Sequence, residues 1–315
     1  MKKSFFLLFS FFLVVLLLVG CAGTEQAGED EDGLQEEYNE EFEITLEDGL
    51  GRQVQLASTP ERIISLAPSN TEMLFALGLG ERIVGVSEYC NYPPEAQDKP
   101  RAGSFSEPNI EQILSLEPDL VVAVPLQDKE FSRLEELGIP LLAVDPTSIE
   151  EIYSALELLG KATGAEEEAS LLVEECRENI DAVREKVGHL SPEEKIRVYY
   201  EVYADPLMSV GTDSVIHELI ETAGGINIFE DMEAGYPQVS SEVIIDRDPQ
   251  VIVFPDYHGT EEFPVQDIME RSGWRSVSAV EDERVYGVDP DKISRSGLRV
   301  VEVVEELAEL FYPDI

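Results

Sequence analysis

The chain is poor in the residues that build reactive centres. Its 315 residues hold three cysteines, three histidines and one tryptophan. Cys21 falls in the leader, which leaves Cys90 and Cys176 as the remaining thiols. They are far apart in the chain and Cys176 sits on a helical stripe, so neither a disulfide nor a metal site is expected from them. His189, His217 and His258 are scattered over a helix end, a helix and a loop, without the clustering that a transition-metal site needs. There is no Gly-rich phosphate loop, HExxH pair or GxSxG elbow, and no nucleophile stands with a base, so an enzyme is the weaker class. Basic residues are also scarce: 22 Lys and Arg against 66 Asp and Glu give a net charge of −44. A surface that acidic repels phosphate backbones, which argues against nucleic acid as a partner.

What is present begins with a leader. Lys2 and Lys3 precede an apolar run over 5–19 that only Ser10 interrupts, the charge, length and position of a secretory signal. The signal is read over 1–20. It ends in Leu18-Val19-Gly20-Cys21, which matches a bacterial lipobox with Cys21 as the lipidated residue. An uncleaved membrane anchor is the other reading, and both leave the rest of the chain extracytoplasmic on a membrane tether. Residues 21–41 are rich in Glu, Asp, Gly and Gln, and read as a self-repelling linker with too little apolar surface to fold.

From residue 42 onward short apolar runs alternate with helical patterns. A hairpin is expected around Asp48-Gly49, and strands near 62–67, 83–86, 120–124, 140–144, 196–203 and 285–288. Helices are expected over 73–78, 110–116, 129–137, 214–223 and 300–311. This alternation means a parallel α/β sheet. Ser69 and Glu72 fit a capping box at the first helix, although the same turn would also make the lip of a ligand cleft.

The longest pattern is a helix over 164–188. Ala169, Leu172, Val173, Cys176, Ile180, Val183 and Val187 lay one stripe along it, with Glu166, Glu167 and Glu168 at its start and Arg184 and Lys186 near its end. Gly188 is placed as a left-handed carboxyl cap. On either side the chain repeats itself. Glu111-Gln-Ile-Leu-Ser-Leu-Glu-Pro-Asp-Leu-Val-Val122 matches Glu242-Val-Ile-Ile-Asp-Arg-Asp-Pro-Gln-Val-Ile-Val253 in residue type. Phe105 and Tyr236 each precede the opening Glu by six residues. Two similar lobes, 42–163 and 189–315, joined by the 164–188 helix, account for this better than one large domain. Glu111 and Glu242 read either as helix-start acids or as paired charges offered to a two-fold partner. Asp291, Arg295 and Arg299 near a strand end could grip polar groups of a ligand, or be explained by a surface ion pair and a helix start.

Five motifs carry a family resemblance: Arg62-Ile-Ile-Ser-Leu-Ala-Pro-Ser-Asn-Thr-Glu72; Gly85-Val-Ser-Glu-Tyr-Cys-Asn-Tyr-Pro-Pro94; Asn109-Ile-Glu111 with Glu117-Pro-Asp-Leu-Val-Val122; Pro237-Gln-Val-Ser240; and Arg299-Val-Val-Glu. The chain resembles the substrate-binding proteins of ABC importers for vitamin B12 and iron-siderophores. That resemblance implies two Rossmann-like α/β lobes joined by a single long rigid helix, a ligand cleft between the lobes, and little lobe motion. It also implies a corrinoid cargo, with a ferric siderophore or haem as the alternative and no cofactor or metal of the protein's own. An enzyme or signalling ectodomain on the same scaffold is a distant third. Tyr89, Phe105, Tyr236, Asp291 and Arg295 match the family's ligand-binding positions, with Phe105 and Tyr236 standing where the best-known binder has tryptophans. Glu111 and Glu242 match the glutamates that dock on the dimeric permease and its ATPase subunits. The binding protein itself is expected to be monomeric.

Overall fold

Period-two alternation builds the first elements. In the computed structural model, which describes residues 44–104, 106–125, 128–258 and 261–314, strands β1 (Ile44–Glu47) and β2 (Gln53–Leu56) pair antiparallel as a hairpin. The Asp48 carboxylate closes its turn by accepting from the Leu50 and Arg52 amides, and Gly49 N donates to Ala143 O, which docks the hairpin on the first sheet.

The first sheet follows as β3 (Ile63–Ser65), α1 (Pro68–Ala76), β4 (Ile83–Val86), α2 (Ile110–Ser115), β5 (Leu120–Ala123), α3 (Asp128–Glu136) and β6 (Leu141–Ala143). Its strands are all parallel, in the order β4-β3-β5-β6. Two helices then connect the sheets, α4 (Ile149–Thr163) and α5 (Glu166–Val187).

The second half runs β7 (Ile196–Tyr200), the short pair β8 (Tyr203–Ala204) and β9 (Leu207–Met208), α6 (Val215–Thr222), β10 (Gly225–Asn227), α7 (Ser241–Arg247) and β11 (Val251–Pro255). The pair β12 (Tyr257–His258) and β13 (Glu261–Glu262), α8 (Val265–Met269), α9 (Ser278–Glu281), β14 (Val285–Val288), α10 (Pro290–Ile293) and α11 (Val300–Phe311) complete it. Its main sheet is also parallel, in the order β10-β7-β11-β14. Counted along the chain, each sheet is ordered 2-1-3-4. The internal repeat is therefore a repeat of topology, and its turns agree in detail. Glu117 and Asp248, the same distance beyond Glu111 and Glu242, adopt left-handed backbone at φ 46° and 44° just before Pro118 and Pro249.

Each sheet has a private core on one face, around Ile64, Ile113 and Val121 in the first lobe and Tyr199, Ile252 and Trp274 in the second. The opposite faces share one continuous core. Ile63 and Val122 from the first sheet join Val198 and Val253 from the second through the α5 stripe of Ala169, Val173, Cys176, Ile180 and Val183. That stripe is buried as its spacing demands, and each of its larger members contributes on the order of 1.5–3 kcal/mol by leaving water.

Two expectations need correcting. The helix expected over 164–188 begins at Glu166, and Gly164 belongs to the helix before it, as the left-handed cap of α4 at φ 71°. Gly188 ends α5 in right-handed backbone at φ −66°, so it is not a left-handed cap. Beyond these, Gly224 stops α6 with a positive φ, and Gly225 opens β10 directly, where Ile220, Val198 and Phe311 crowd it too closely for a side chain.

Candidate functional site

Parallel sheets offer their carboxyl edges to ligands. The loop after β4 and the turn after β14 both leave such edges, one in each lobe, and their side chains meet. Glu72, in the middle of α1, is 4% exposed. It accepts from Arg299 Nε on Oε2 at 2.8 Å, and from Arg299 Nη2 and Arg295 Nη1 on Oε1 at 2.7 and 2.8 Å. Arg295 Nη2 lies 2.7 Å from Asp291 Oδ1. Asn91 closes the group: its Nδ2 donates to Asp291 Oδ2 at 2.7 Å, and its Oδ1 accepts from Arg295 Nη1 at 2.8 Å. The Arg299 guanidinium also lies over the Tyr92 ring, 4.5 Å from its centroid. Two acids and two bases thus form a charge-balanced set that ties the lobes together. Burial alone would lower the Arg299 pKa, but the Glu72 carboxylate raises it above its ordinary value.

This arrangement overturns the capping-box reading. Helix α1 has Ala67 at its cap and no side-chain cap bond; Pro68, with no N–H to satisfy, starts it instead. Glu72 is one side of a buried interlobe ion cluster. Asp291 and Arg295 do form a pair, and it is half-buried, with Asp291 in the first turn of α10. Sequence reasoning passed over Asn91 and left Arg299 with two readings. The usable signal was two complementary charges inside two family motifs, Glu72 and Arg299, 227 positions apart.

Tyr89 and Tyr236 are 54% and 51% exposed, unusual for large rings. Arg295 Nη2 also reaches the Tyr89 carbonyl at 3.4 Å, which places Tyr89 beside the ion cluster. Tyr200, buried at the carboxyl end of β7, has its pKa raised by burial and by nearby Tyr236. Phe105 and Cys21, with the leader and linker, lie outside the described residues. Glu111 and Glu242 are both exposed second residues of their helices, α2 and α7, capped by Asn109 and Ser240. A hydrogen bond from its own backbone amide, then one from the Ser240 hydroxyl, hold the Glu242 carboxyl below its ordinary range. Cys90 and Cys176 are free and buried, and the Cys90 sulfur lies 3.1 Å from both Thr71 Oγ1 and Ser87 Oγ.

A cavity of about 620 Å³ lies apart from this cluster, within the first lobe between the hairpin and α4, lined by Asp48, Asp145, Glu151, Leu158 and Lys161 among others. It touches none of the residues matched to ligand binding. Among the described residues no group of three His, Cys, Asp or Glu side chains is arranged to hold a metal ion, and no helix is long and apolar enough to cross a membrane.

The profile of the periplasmic binding protein family matches residues 63–292. The chain belongs to that family. An uncharacterised ABC transporter substrate-binding lipoprotein of Bacillus subtilis is 34% identical over 320 residues, spanning 100% of this chain and 99% of its own length. The vitamin B12-binding protein of Vibrio cholerae is 33% identical over 249 residues, 78% of this chain and 87% of that protein. The crystal structure of the periplasmic vitamin B12-binding protein of Vibrio cholerae superposes with a TM-score of 0.69 at 31% identity, covering 81% of this chain and 97% of that one. A periplasmic haem-binding protein of Roseiflexus gives 0.72 at 26% identity, over 81% of this chain and 99% of that one. This periplasmic binding protein is thus of the two-lobed class that includes B12, iron and haem binders, and its relatives are substrate-binding transport proteins, not enzymes.

Proposed function

We propose that this protein is the lipid-anchored, extracytoplasmic binding component of an ABC importer, and that its cargo is a corrinoid of the vitamin B12 type. The observation that carries this reading is half-exposed Tyr89 beside the Asp291–Arg295 pair, where the two lobes meet, together with half-exposed Tyr236 in the second lobe. Aromatic faces with a few fixed polar groups suit a large, flat, amide-fringed ligand. Phe105 is the third aromatic that the family resemblance matches to the ligand. The vitamin B12-binding relatives, which match about four-fifths of the chain, support the same cargo. Cys21 would carry the lipid, as the lipoprotein name of the Bacillus relative supports.

The equivalent placement of Glu111 and Glu242 at the second positions of α2 and α7 supports their role as docking points, one for each subunit of a two-fold permease that works with its ATPase subunits. A single chain presenting both acids needs no second copy. The fold-level likeness to haem-binding proteins favours haem or a ferric siderophore as the second reading. Calorimetry with cyanocobalamin, cobinamide, haemin and a set of ferric siderophores separates the two. Saturable binding of the corrinoids alone is the expected result; haemin or siderophore binding without corrinoid binding would transfer the cargo to the second reading.

A further inference from the structure

In a chain where acids outnumber bases 66 to 22, Arg62, Arg101 and Arg284 direct their guanidinium groups to backbone carbonyls. Arg62 reaches Leu116 O and Glu117 O at the end of α2, and Arg284 reaches Leu310 O and Phe311 O at the end of α11. Cations suit the carboxyl ends of helices. Arg101 Nη2 does the same for Gln97 O, in the 3₁₀ turn over 94–98, at 3.2 Å. Its Nη1 grips something else. It donates to Ser87 O and to Cys90 O, both at 2.9 Å, and these are the two ends of one tight turn whose third residue is Tyr89. We infer that Arg101 is a positioning residue for the cargo, a clamp that holds the turn presenting Tyr89. This inference rests on the reading that Tyr89 faces the cargo.

Three observations carry it. First, the turn closes weakly without Arg101. Its own bond, from Cys90 N to Ser87 O, is 3.2 Å long, at the far end of the usual range. The guanidinium adds two shorter, charge-assisted bonds across the same two residues, one from each hydrogen of Nη1. Second, Tyr89 is half-exposed, so its place is set mainly by the backbone that carries it. That backbone is pinned from beneath by Cys90, whose sulfur meets Thr71 Oγ1 and Ser87 Oγ, and across its ends by Arg101. Third, Arg101 is itself anchored. Residues 100–103 run alongside the end of β4, with Val86 N donating to Pro100 O at 2.9 Å, Ala102 N to Val86 O at 2.8 Å and Glu88 N to Gly103 O at 3.0 Å. The same segment leads to Phe105 four residues after Arg101. One arginine thus holds one aromatic-bearing loop by its side chain and stands at the root of another. A turn fixed before the ligand arrives costs less order on binding.

The test uses two variants of the full chain: Arg101→Met, which removes the donors, and Arg101→Lys, which returns a cation without the fork. In the first arm, backbone NMR order parameters over 87–92 are measured in the free proteins. Wild type is expected in the rigid range, about 0.85, Arg101→Met below about 0.6, and Arg101→Lys between them. Strand β10, in the other lobe, is expected to keep its wild-type values. An unchanged turn in Arg101→Met, or an equal loss of order in both lobes, would overturn the clamp. In the second arm, calorimetry with cyanocobalamin is expected to show binding about 3- to 10-fold weaker in Arg101→Met, the cost of ordering the loop on the ligand, and partly recovered in Arg101→Lys. Wild-type affinity in a variant whose turn has loosened overturns the positioning role. If Arg101→Met does not fold, Arg101→Lys decides alone: a looser turn with weaker binding supports the clamp, and no change in either overturns it. Wild-type protein that binds haemin and not cyanocobalamin strikes the corrinoid cargo only, and the variants are then compared with haemin by the same criteria.

Discussion

The helix that follows the first strand of each main sheet sends one glutamate to the other lobe, and the two are received differently. In the first lobe, Glu72 on α1 is buried against Arg295 and Arg299 at the ligand-side edge. In the second, Glu218 on α6 accepts only the Ile149 amide at 2.8 Å, at the first residue of α4. One scaffold, repeated, carries a four-residue ion cluster in one direction and a helix-terminus cap in the other. The difference lies in the receiving side. The turn after β14 supplies two arginines, whereas the start of α4 supplies a backbone N–H within a helix dipole that favours negative charge. A repeated fold thus fixes where side chains emerge, and the loops decide what they meet.

Breaking the comparison at its stronger end should give the largest effect. Glu72→Ala leaves Arg295 and Arg299 without their shared carboxylate, and should cost about 3–5 kcal/mol in denaturant unfolding. A loss below about 1 kcal/mol would mean that the cluster is solvated and does not tie the lobes together.

The seam between α4 and α5 carries both lobes and offers the next test, through pH. Burial raises the Cys176 thiol from 9.0 to about 11, and burial followed by the Cys176 charge raises the Tyr153 hydroxyl from 10.0 to about 12. Both groups stay protonated in the native protein at pH values where the unfolded chain has released its protons. Their contribution is therefore complete below pH 9 and lost as pH climbs through 11 and 12. Unfolding free energy measured from pH 8 to 11 should fall progressively above 9, and Cys176→Ser should flatten the first part of that fall. A level profile in the parent protein would contradict the burial of these groups.

Glu218→Ala should cost about 0.5–2 kcal/mol, the usual worth of a helix cap, and well below the loss at Glu72. Equal losses at the two glutamates would erase the contrast between the lobes. The smallest effect on stability is expected where the lobes are alike. Glu111→Ala combined with Glu242→Ala should change unfolding by less than about 0.5 kcal/mol, since both side chains are exposed. The same double variant should abolish transport while leaving ligand affinity as it was. Loss of affinity would place those acids in the binding site instead.

Much of the fold was legible because its signals are local. The apolar runs became β3, β4, β5, β6, β7 and β14, and the α5 stripe is buried where its spacing put it. The acid-Pro turns before β5 and β11 repeat down to the left-handed residue. Helix α4 is less legible because its pattern runs almost unbroken into the longer one of α5, although Ser148 caps its first turn. The candidate site was legible only as residue names. Asp291 and Arg295 do pair, but Asn91 reads as one more residue of a loop motif that ends in Pro93-Pro94, and Glu72 reads as a capping residue. In both cases a cheap local explanation stood ready, and the true partner lay some 200 positions away.

The parallel α/β class, the repeat, the connecting helix and the family can be read from the chain alone, because hydrophobic period, turn chemistry and motif spacing act over a few residues. It takes the folded chain to show that the two sheets share a core across α5, and that Glu72, Asn91, Asp291, Arg295 and Arg299 form one interlobe cluster. Charges attract across whatever distance the fold leaves between them, and in a chain with 66 acids and 22 bases the pattern alone cannot say which acid each base will meet.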